Sequence, residues 1–283
     1  MTPDPQALQQ WLNRRERRVD WVNAGAVAAM AATLDRDDPE PQAGADVPPL
    51  WHWIFFTPRD RHSDIGPDGH ARRGGFLPPV PLPRRMWAGG RLDFLHPLQI
   101  GDRIERSSRV ADIRLKEGRS GPLTFVTVRH EITDPRGLAI VEEHDIVYRD
   151  IPRPGTSGPA PQTAPTDESF AREIAPDPVL LFRYSALTFN GHRIHYDRSY
   201  VTQVEGYPGL IVHGPLVATL LLELLRSEVP HASVRRFSFK AVGPLFDIHR
   251  FMVCGRPDGA TAFTLWARDH EGALAMQARA EIA

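Results

Sequence analysis

Alternating apolar and polar positions occur on both sides of a turn in each half of the chain. Residues 125–148 alternate around the turn Asp-Pro-Arg-Gly, and residues 263–282 alternate around Asp-His-Glu-Gly. Alternation on both sides of a glycine-containing turn is typical of an antiparallel β-hairpin. Each half is therefore predicted to end in antiparallel strands.

Helical spacing appears in a leucine-rich segment of the second half. Apolar residues occupy nearly every face from Leu216 to Leu225, which predicts a deeply buried helix. Pro215 suits its first turn, where a missing N–H is no loss. A further candidate helix spans Val19 to Leu34. The segment 57–85, rich in Pro, Gly and Arg, has no apolar period and is predicted to be a loop.

A stretch dense in proline and glycine divides the chain near its middle. Residues 152–165 suit neither a helix nor a sheet and are predicted to be a linker. Related motifs recur in the same order on both sides of it, RLDFLHPL at 91–98 and RFSFKAVGPL at 236–245. The pattern predicts two modules, 1–151 and 166–283, of the α+β class. A buried helix wrapped by an antiparallel sheet is the hot-dog arrangement, so a double hot-dog is expected.

Composition narrows the functional class. The formal net charge of −1 does not favour a general nucleic-acid or anionic-membrane binder. Cys254 is the only cysteine, which excludes an internal disulfide and a thiolate metal cluster. The first residues lack the order of a secretory signal, and the apolar run 210–225 is too short and too polar to span a bilayer. A cytoplasmic protein is expected.

The candidate chemistry is concentrated in residues 182–200. A short apolar segment is followed there by a polar turn that contains Asn190, His192, Arg193, His195 and Asp197. About 15 residues later the chain enters the buried helix through the sequence PGLIVHGPL at 208–216.

These two segments resemble the hydratase motifs of MaoC-like enzymes. LTFNGHRIHYD at 187–197 is similar to a signature of the two-module branch, which includes hydroxyacyl-thioester dehydratase type 2 and bacterial mesaconyl- and itaconyl-CoA hydratases. The His-Gly-x-Leu helix entry at 213–216 resembles the same family. The resemblance covers the second half well and the first half loosely. It implies a double hot-dog hydro-lyase that acts on an acyl-CoA thioester without a cofactor.

The resemblance also implies roles for individual residues. His195 matches the catalytic histidine, and Asn190 stands where the common (R)-specific hydratases carry Asp. An Asn side chain cannot accept a proton from water. Either Asn190 only positions the water and His195 is the sole base, or Asp197 assists His195. We favour the first, because the match places Asn190 in the site.

Gly214 is the expected oxyanion donor, through its backbone N–H at a helix N-terminus. The other expected substrate contacts are His213, Arg193, Tyr184 and Asp197. His213 has the alternative of capping the helix, and Arg193 that of pairing with Asp197. The spacing His-x-x-His-x-Asp does not match a helical zinc motif, so no metal is expected.

The function expected from the sequence is hydration or dehydration of an enoyl-CoA, with a C5 dicarboxylyl-CoA favoured. The alternatives are a 3-hydroxyacyl-thioester dehydratase, an acyl-CoA thioesterase and a non-catalytic acyl-CoA binder. A carboxylated acyl group would require an arginine in the pocket. The first half lacks the Asn/Asp–turn–His motif, so one active site is expected, with the first module shaping the acyl pocket. Arg59 to Arg85 is expected to be a solvated loop, or else to steer the CoA phosphates. A monomer and a homodimer both remain open.

Overall fold

The computed structural model describes residues 4–118, 121–150 and 160–283. Within them, ten strands form one antiparallel sheet in the order β1-β3-β4-β5-β2-β7-β10-β9-β8-β6. The strands are β1 Arg15–Trp21, β2 Arg84–Phe94, β3 Arg103–Gly118, β4 Gly121–Asp134, β5 Gly137–Arg149, β6 Phe170–Ile174, β7 Val234–Ala241, β8 Phe251–Pro257, β9 Ala262–Arg268 and β10 Leu274–Ile282. The first five strands therefore lie on one side of the sheet and the last five on the other.

The helices are few and lie mostly in the second half. They are α1 Pro5–Gln9, α2 Ala24–Thr33, α3 Pro178–Thr188, α4 Arg198–Gln203 and α5 Gly214–Glu228. Single 3-10 turns occur at Trp51–Ile54, His62–Asp64 and Arg193–His195. No helix of the described chain is both long and apolar enough to cross a membrane.

Both hairpins expected from the alternating pattern are present. Strands β4 and β5 are joined at Asp134 and Gly137, and β9 and β10 pair in the second half. Gly137 and Gly272 adopt the positive φ angles (115° and 85°) that glycine tolerates best. The two related motifs of the sequence also lie side by side, since Leu92 of β2 pairs with Phe237 of β7. This pair of strands joins the two halves of the sheet.

The leucine-rich helix is also confirmed. Helix α5 begins at Gly214, and every residue from Leu216 to Leu225 is buried. It packs against β8, β9 and β10 of the sheet. In the first half, Val27 and Met30 of α2 enter the same hydrophobic core as Ile104.

The expected helix at Val19 to Leu34 is correct only in its second part. Val19 to Trp21 belong to β1, where Val19 pairs with Glu105 of β3. Strand pairing overrides a local preference for helix in this short stretch. Helix α2 starts after Asn23, whose side chain accepts a hydrogen bond from the Ala26 N–H at 3.2 Å. That contact is a standard N-cap.

The expected linker at 152–165 falls largely on residues 151–159, which lie outside the described residues. The boundaries at 151 and 166 therefore stay predictions. The sheet order agrees with such a division, because every strand before residue 150 lies on one side of the β2·β7 pair and every strand after residue 160 lies on the other.

Candidate active site

His195 lies at the end of the 3-10 turn that follows α3, and its ring is buried. Its Nδ1 is 2.7 Å from the carbonyl oxygen of Ile211. Because a carbonyl oxygen only accepts hydrogen bonds, Nδ1 carries the proton and Nε2 of the neutral ring keeps a lone pair. Burial lowers the pKa of His195 to about 4, although the hydrogen bond to Ile211 acts in the opposite direction. The ring is therefore neutral near pH 7 and can accept a proton at Nε2.

His213 stacks on His195, with ring centroids 3.7 Å apart and an interplanar angle of 20°. It occupies the N-cap position of α5, but its side chain makes no capping hydrogen bond. Its Nε2 lies instead 2.8 Å from the hydroxyl of Ser185 in α3. Burial lowers the pKa of His213 well below the ordinary value, with a smaller effect from His195. The His213 ring is therefore neutral near pH 7 and packs against one face of the His195 ring. The alternative that the His213 side chain caps the helix is wrong.

Tyr184 in α3 packs against His213. It is fully buried, and its ring centroid is 5.0 Å from that of His213. Its hydroxyl has no hydrogen-bond partner at normal geometry within the described chain, and the nearby Thr219 hydroxyl donates to the Pro215 carbonyl oxygen at 2.8 Å. Burial raises the pKa of Tyr184, so its hydroxyl stays protonated and is available as a donor.

Gly214 is the first residue of α5 and faces the first half of the sheet. A Cβ atom built on Gly214 would lie 3.8 Å from the carbonyl oxygen of Trp87. Strand β2 is irregular here, with a register shift between Trp87 and Gly89. The first N–H groups of a helix have no acceptor within the helix and lie at the positive end of its dipole. The Gly214 N–H therefore lies where an anionic oxygen is stabilised.

Asn190 closes the turn between α3 and His195. Its backbone N–H donates to Ser185 at 2.8 Å, and its Oδ1 accepts from the N–H of His192 at 3.0 Å. The side-chain oxygen is therefore used by the turn, and the Nδ2 group is left to donate. Asn190 can orient a water molecule in this arrangement but cannot take its proton.

The loop that precedes β2 packs against this turn. The N–H of Arg193 donates to the carbonyl oxygen of Asp68 at 2.9 Å, and the rings of His70 and His192 lie 4.0 Å apart. Asp68 also accepts a hydrogen bond from Nδ1 of His70 at 3.0 Å. The side chains of Asp68, His70 and His192 are all half-buried. The expectation of a solvated loop at 59–85 is therefore wrong around residues 66–70. No periodic signal in the sequence points to contacts between residues so far apart.

Arg193 and Asp197 bind each other. The guanidinium donates to Asp197 Oδ2 at 3.0 and 2.7 Å, and to the Pro67 carbonyl oxygen at 3.0 Å. Asp197 Oδ1 accepts from the N–H of Tyr200 at 3.0 Å and caps α4. These contacts agree with the alternative that Arg193 pairs with Asp197. Both oxygens of Asp197 are engaged away from His195, so the contacts do not support the assistance of Asp197.

Two groups of side chains have donor atoms close enough to hold a metal ion. One is Asp68, His70 and His192 beside the candidate site, and the other is His130, Glu142 and His144 in the first half of the sheet. Within each group the ligand atoms lie within 4.8 Å of one another. Imidazole and carboxylate ligands of this kind suit zinc. The expectation of a metal-free reaction stays a prediction.

Solved structures share this fold. A MaoC-like dehydratase from Phytophthora capsici matches with a TM-score of 0.72 and 15% identity, covering 99% of each chain. A MaoC domain dehydratase from Chloroflexus aurantiacus matches with a TM-score of 0.64 and 13% identity, covering 96% of this chain and 94% of the other. The expected α+β double hot-dog is thereby confirmed.

Sequence relatives define the family. The chain is 48% identical over 275 residues to mesaconyl-C(4)-CoA hydratase of Chloroflexus aurantiacus, covering 96% of each protein. It is 28% identical to the mitochondrial hydroxyacyl-thioester dehydratase type 2 of Schizosaccharomyces pombe, covering 83% of this chain and 88% of the relative. The family model described as hydroxyacyl-thioester dehydratase type 2 matches residues 50–247. The chain therefore belongs to the hydroxyacyl-thioester dehydratase type 2 family.

Proposed function

We propose that this protein adds water to the double bond of a C5 dicarboxylyl-CoA thioester of the mesaconyl type and removes it in the reverse direction. The relatives of the chain are hydratases and dehydratases, which makes it a hydro-lyase. The observation that carries the proposal is the neutral, buried His195, whose Nε2 is left free by the hydrogen bond from Nδ1 to Ile211.

The geometry gives each group one task. His195 Nε2 takes a proton from water as the oxygen bonds to C3 of the enoyl thioester. Negative charge then develops on the thioester oxygen, and the Gly214 N–H at the start of α5 stabilises it. The proton held by His195 is then available to C2, which completes the addition. Asn190 orients the water through Nδ2.

Because Asn190 cannot act as a base, we assign proton transfer to His195 alone. The half-buried position of Asn190 and the use of its Oδ1 by the turn support this division. Tyr184 and His213 shape the wall beside the reacting carbons, and Arg193 and Asp197 hold the turn in place. Whether the chain acts as a monomer or as a homodimer stays a prediction.

The runner-up is dehydration of a 3-hydroxyacyl thioester that lacks a second carboxylate. The match to the hydroxyacyl-thioester dehydratase type 2 model favours it. The same residues would run the same steps in reverse, so only the acyl group distinguishes the two proposals.

The test is to incubate the protein with mesaconyl-, itaconyl- and crotonyl-CoA and to follow the enoyl-thioester absorbance and free thiol together. His195→Ala is expected to lower kcat by about 10²- to 10⁴-fold, the usual range for a general base. His231→Ala, which changes an exposed histidine, is the matched control and should keep full activity. Thiol release without hydration would establish the thioesterase alternative, and binding without turnover would establish the binder.

A further inference from the structure

Two arginines beside the candidate site have no carboxylate partner. Among the ion pairs of residues 4–118, 121–150 and 160–283, none involves Arg73 or Arg85. Their neighbour Arg84, by contrast, pairs with Glu205 at 3.3 Å. The carboxylate of Asp68 interacts electrostatically with Arg73, but it already accepts a hydrogen bond from His70. This part of the site therefore carries excess positive charge.

The register of the sheet places Arg85 near the elements that form the candidate site. Arg85 precedes Trp87 by two residues in β2, so the two side chains lie on the same face, about 7 Å apart along the strand. The carbonyl oxygen of Trp87 faces Gly214 at the start of α5. Arg85 is half-buried, and its charge contributes to lowering the pKa of His192, after the larger effects of burial and of His70 and His195. The charge of Arg85 also acts on His70, whose ring lies 4.0 Å from that of His192, so the guanidinium lies within electrostatic range of both histidines.

Tyr148 lies opposite Arg85 in β5 and supplies an unused donor. Its side chain is fully buried and its hydroxyl lies close to the Arg85 guanidinium, which can only donate, so the hydroxyl proton has no acceptor within the described chain. Burial raises the pKa of Tyr148, so the hydroxyl remains protonated. A buried donor without an acceptor is costly, and a ligand oxygen would remove that cost.

Arg73 has a different task. Its guanidinium lies 5.5 Å from the Tyr148 ring and donates to the carbonyl oxygens of Val80, Leu82 and Pro83. It therefore fixes the loop before β2 and adds charge, while its own donors are largely used. Arg85 is left as the cation able to bind a ligand.

We propose that Arg85 and the Tyr148 hydroxyl bind the free carboxylate of the dicarboxylyl-CoA, an inference that rests on the function proposed above. In a mesaconyl thioester this carboxylate is attached to the carbon that receives water. Its binding site must therefore lie next to the base, and the ring centroid of His192 is 5.5 Å from that of His195. A guanidinium and a hydroxyl are suitable donors for a carboxylate. A CoA phosphate has the same chemistry, so the test must separate the two anions.

The test compares Arg85→Gln with Arg91→Gln on mesaconyl-CoA and crotonyl-CoA, which share CoA and differ in the carboxylate. Arg91 lies in the same strand but is half exposed and pairs with Glu143 and Asp145. We expect Arg85→Gln to lower kcat/KM for mesaconyl-CoA by about 10- to 150-fold, the range for hydrogen bonds to charged groups, and to leave crotonyl-CoA within about twofold. Tyr148→Phe should give a smaller loss with the same selectivity.

An equal loss on both substrates would overturn the proposal, because the anion would then be a CoA phosphate or the role structural. An unchanged kcat/KM for mesaconyl-CoA would overturn it as well. Binding of succinyl-CoA and butyryl-CoA, which are saturated and cannot be hydrated, keeps the two proposals separate. One outcome is that the wild-type protein hydrates neither enoyl-CoA, while Arg85→Gln weakens binding of succinyl-CoA but not of butyryl-CoA. In that case the carboxylate site stands and the proposed reaction fails.

Discussion

Gly69 and Gly191 bring the loop before β2 and the catalytic turn into backbone contact. Gly69 adopts a φ of +89°, and a Cβ atom at this position would lie 1.8 Å from the carbonyl oxygen of Gly191. An ordinary contact is at least 3.4 Å, so Gly69→Ala requires the two segments to move apart by about 1.6 Å. Gly191 directly follows Asn190, so that movement is transmitted to the proposed water-positioning group and to the turn that carries His195.

This displacement sets the expected magnitude. A misplacement of about 1 Å at a catalytic group can cost about 100-fold in rate. We therefore expect Gly69→Ala to lower kcat/KM at least about 100-fold, which corresponds to about 2.7 kcal/mol of transition-state stabilisation. The left-handed backbone adds about 1–2 kcal/mol to the loss of folding stability, since an alanine is strained there.

Gly44→Ala is the matched control. Gly44 has a φ of +81°, and a Cβ atom built on it meets nothing within 4 Å. Both variants therefore carry the same kind of backbone strain, but only Gly69→Ala separates the loop from the turn. Urea unfolding gives their stabilities, and hydration of mesaconyl-CoA gives their activities. Equal activities at comparable stabilities would refute the reasoning, because the loop would then have no part in holding the catalytic turn.

Three further predictions concern the buried histidines and a buried carboxylate. Since the neutral form of His195 is the proposed base and its pKa is about 4, kcat/KM should persist as the pH falls past 6.5 and decline only toward pH 4. An acid limb near pH 6.5, measured while circular dichroism shows a folded protein, would contradict this. Ser185→Ala leaves Nε2 of His213 without its partner and should lower the free energy of unfolding by about 1–3 kcal/mol in urea titrations. Trp51→Phe removes the 2.8 Å hydrogen bond to the buried Glu223 and should cost a similar amount, whereas a Tm equal to that of the wild type would show that Glu223 is satisfied by its arginines alone.

Local patterns were sufficient for much of the fold. The two hairpins carry alternation and glycine turns within about 20 residues, and α5 carries its burial in its own leucine spacing, so neither depends on distant contacts. The helix predicted at Val19 to Leu34 shows the limit of such patterns. Val19 to Trp21 were included in a candidate helix rich in Ala and Val, but their strand conformation depends on pairing with β3, more than 80 residues away. The Asn23 cap was the local signal that could have moved the boundary.

In the candidate site as well, local motifs predicted some features and missed the contacts between distant residues. His195, Asn190 and the His213–Gly214 entry were predicted, because they lie in two short motifs of one half. The pairing of His213 with Ser185 was not, since it joins two helices. The contribution of residues 66–70 was also missed, because the sequence between Arg59 and Arg85 has only a high content of glycine, proline and arginine.

These missed contacts explain why a site with its catalytic motif in one half depends on the other half. The strand pair β2·β7 brings Trp87 to the entry of α5, and the loop before β2 reaches over the same edge to Gly191. His195 has its low pKa from burial, and His70 of the first half lowers that pKa further when it is protonated. A second half alone would leave the imidazole in water, where its pKa would return toward 6.5 and protonation would compete with its role as a base near neutral pH. The first half therefore lacks the motif but maintains the electrostatic state in which the motif can act.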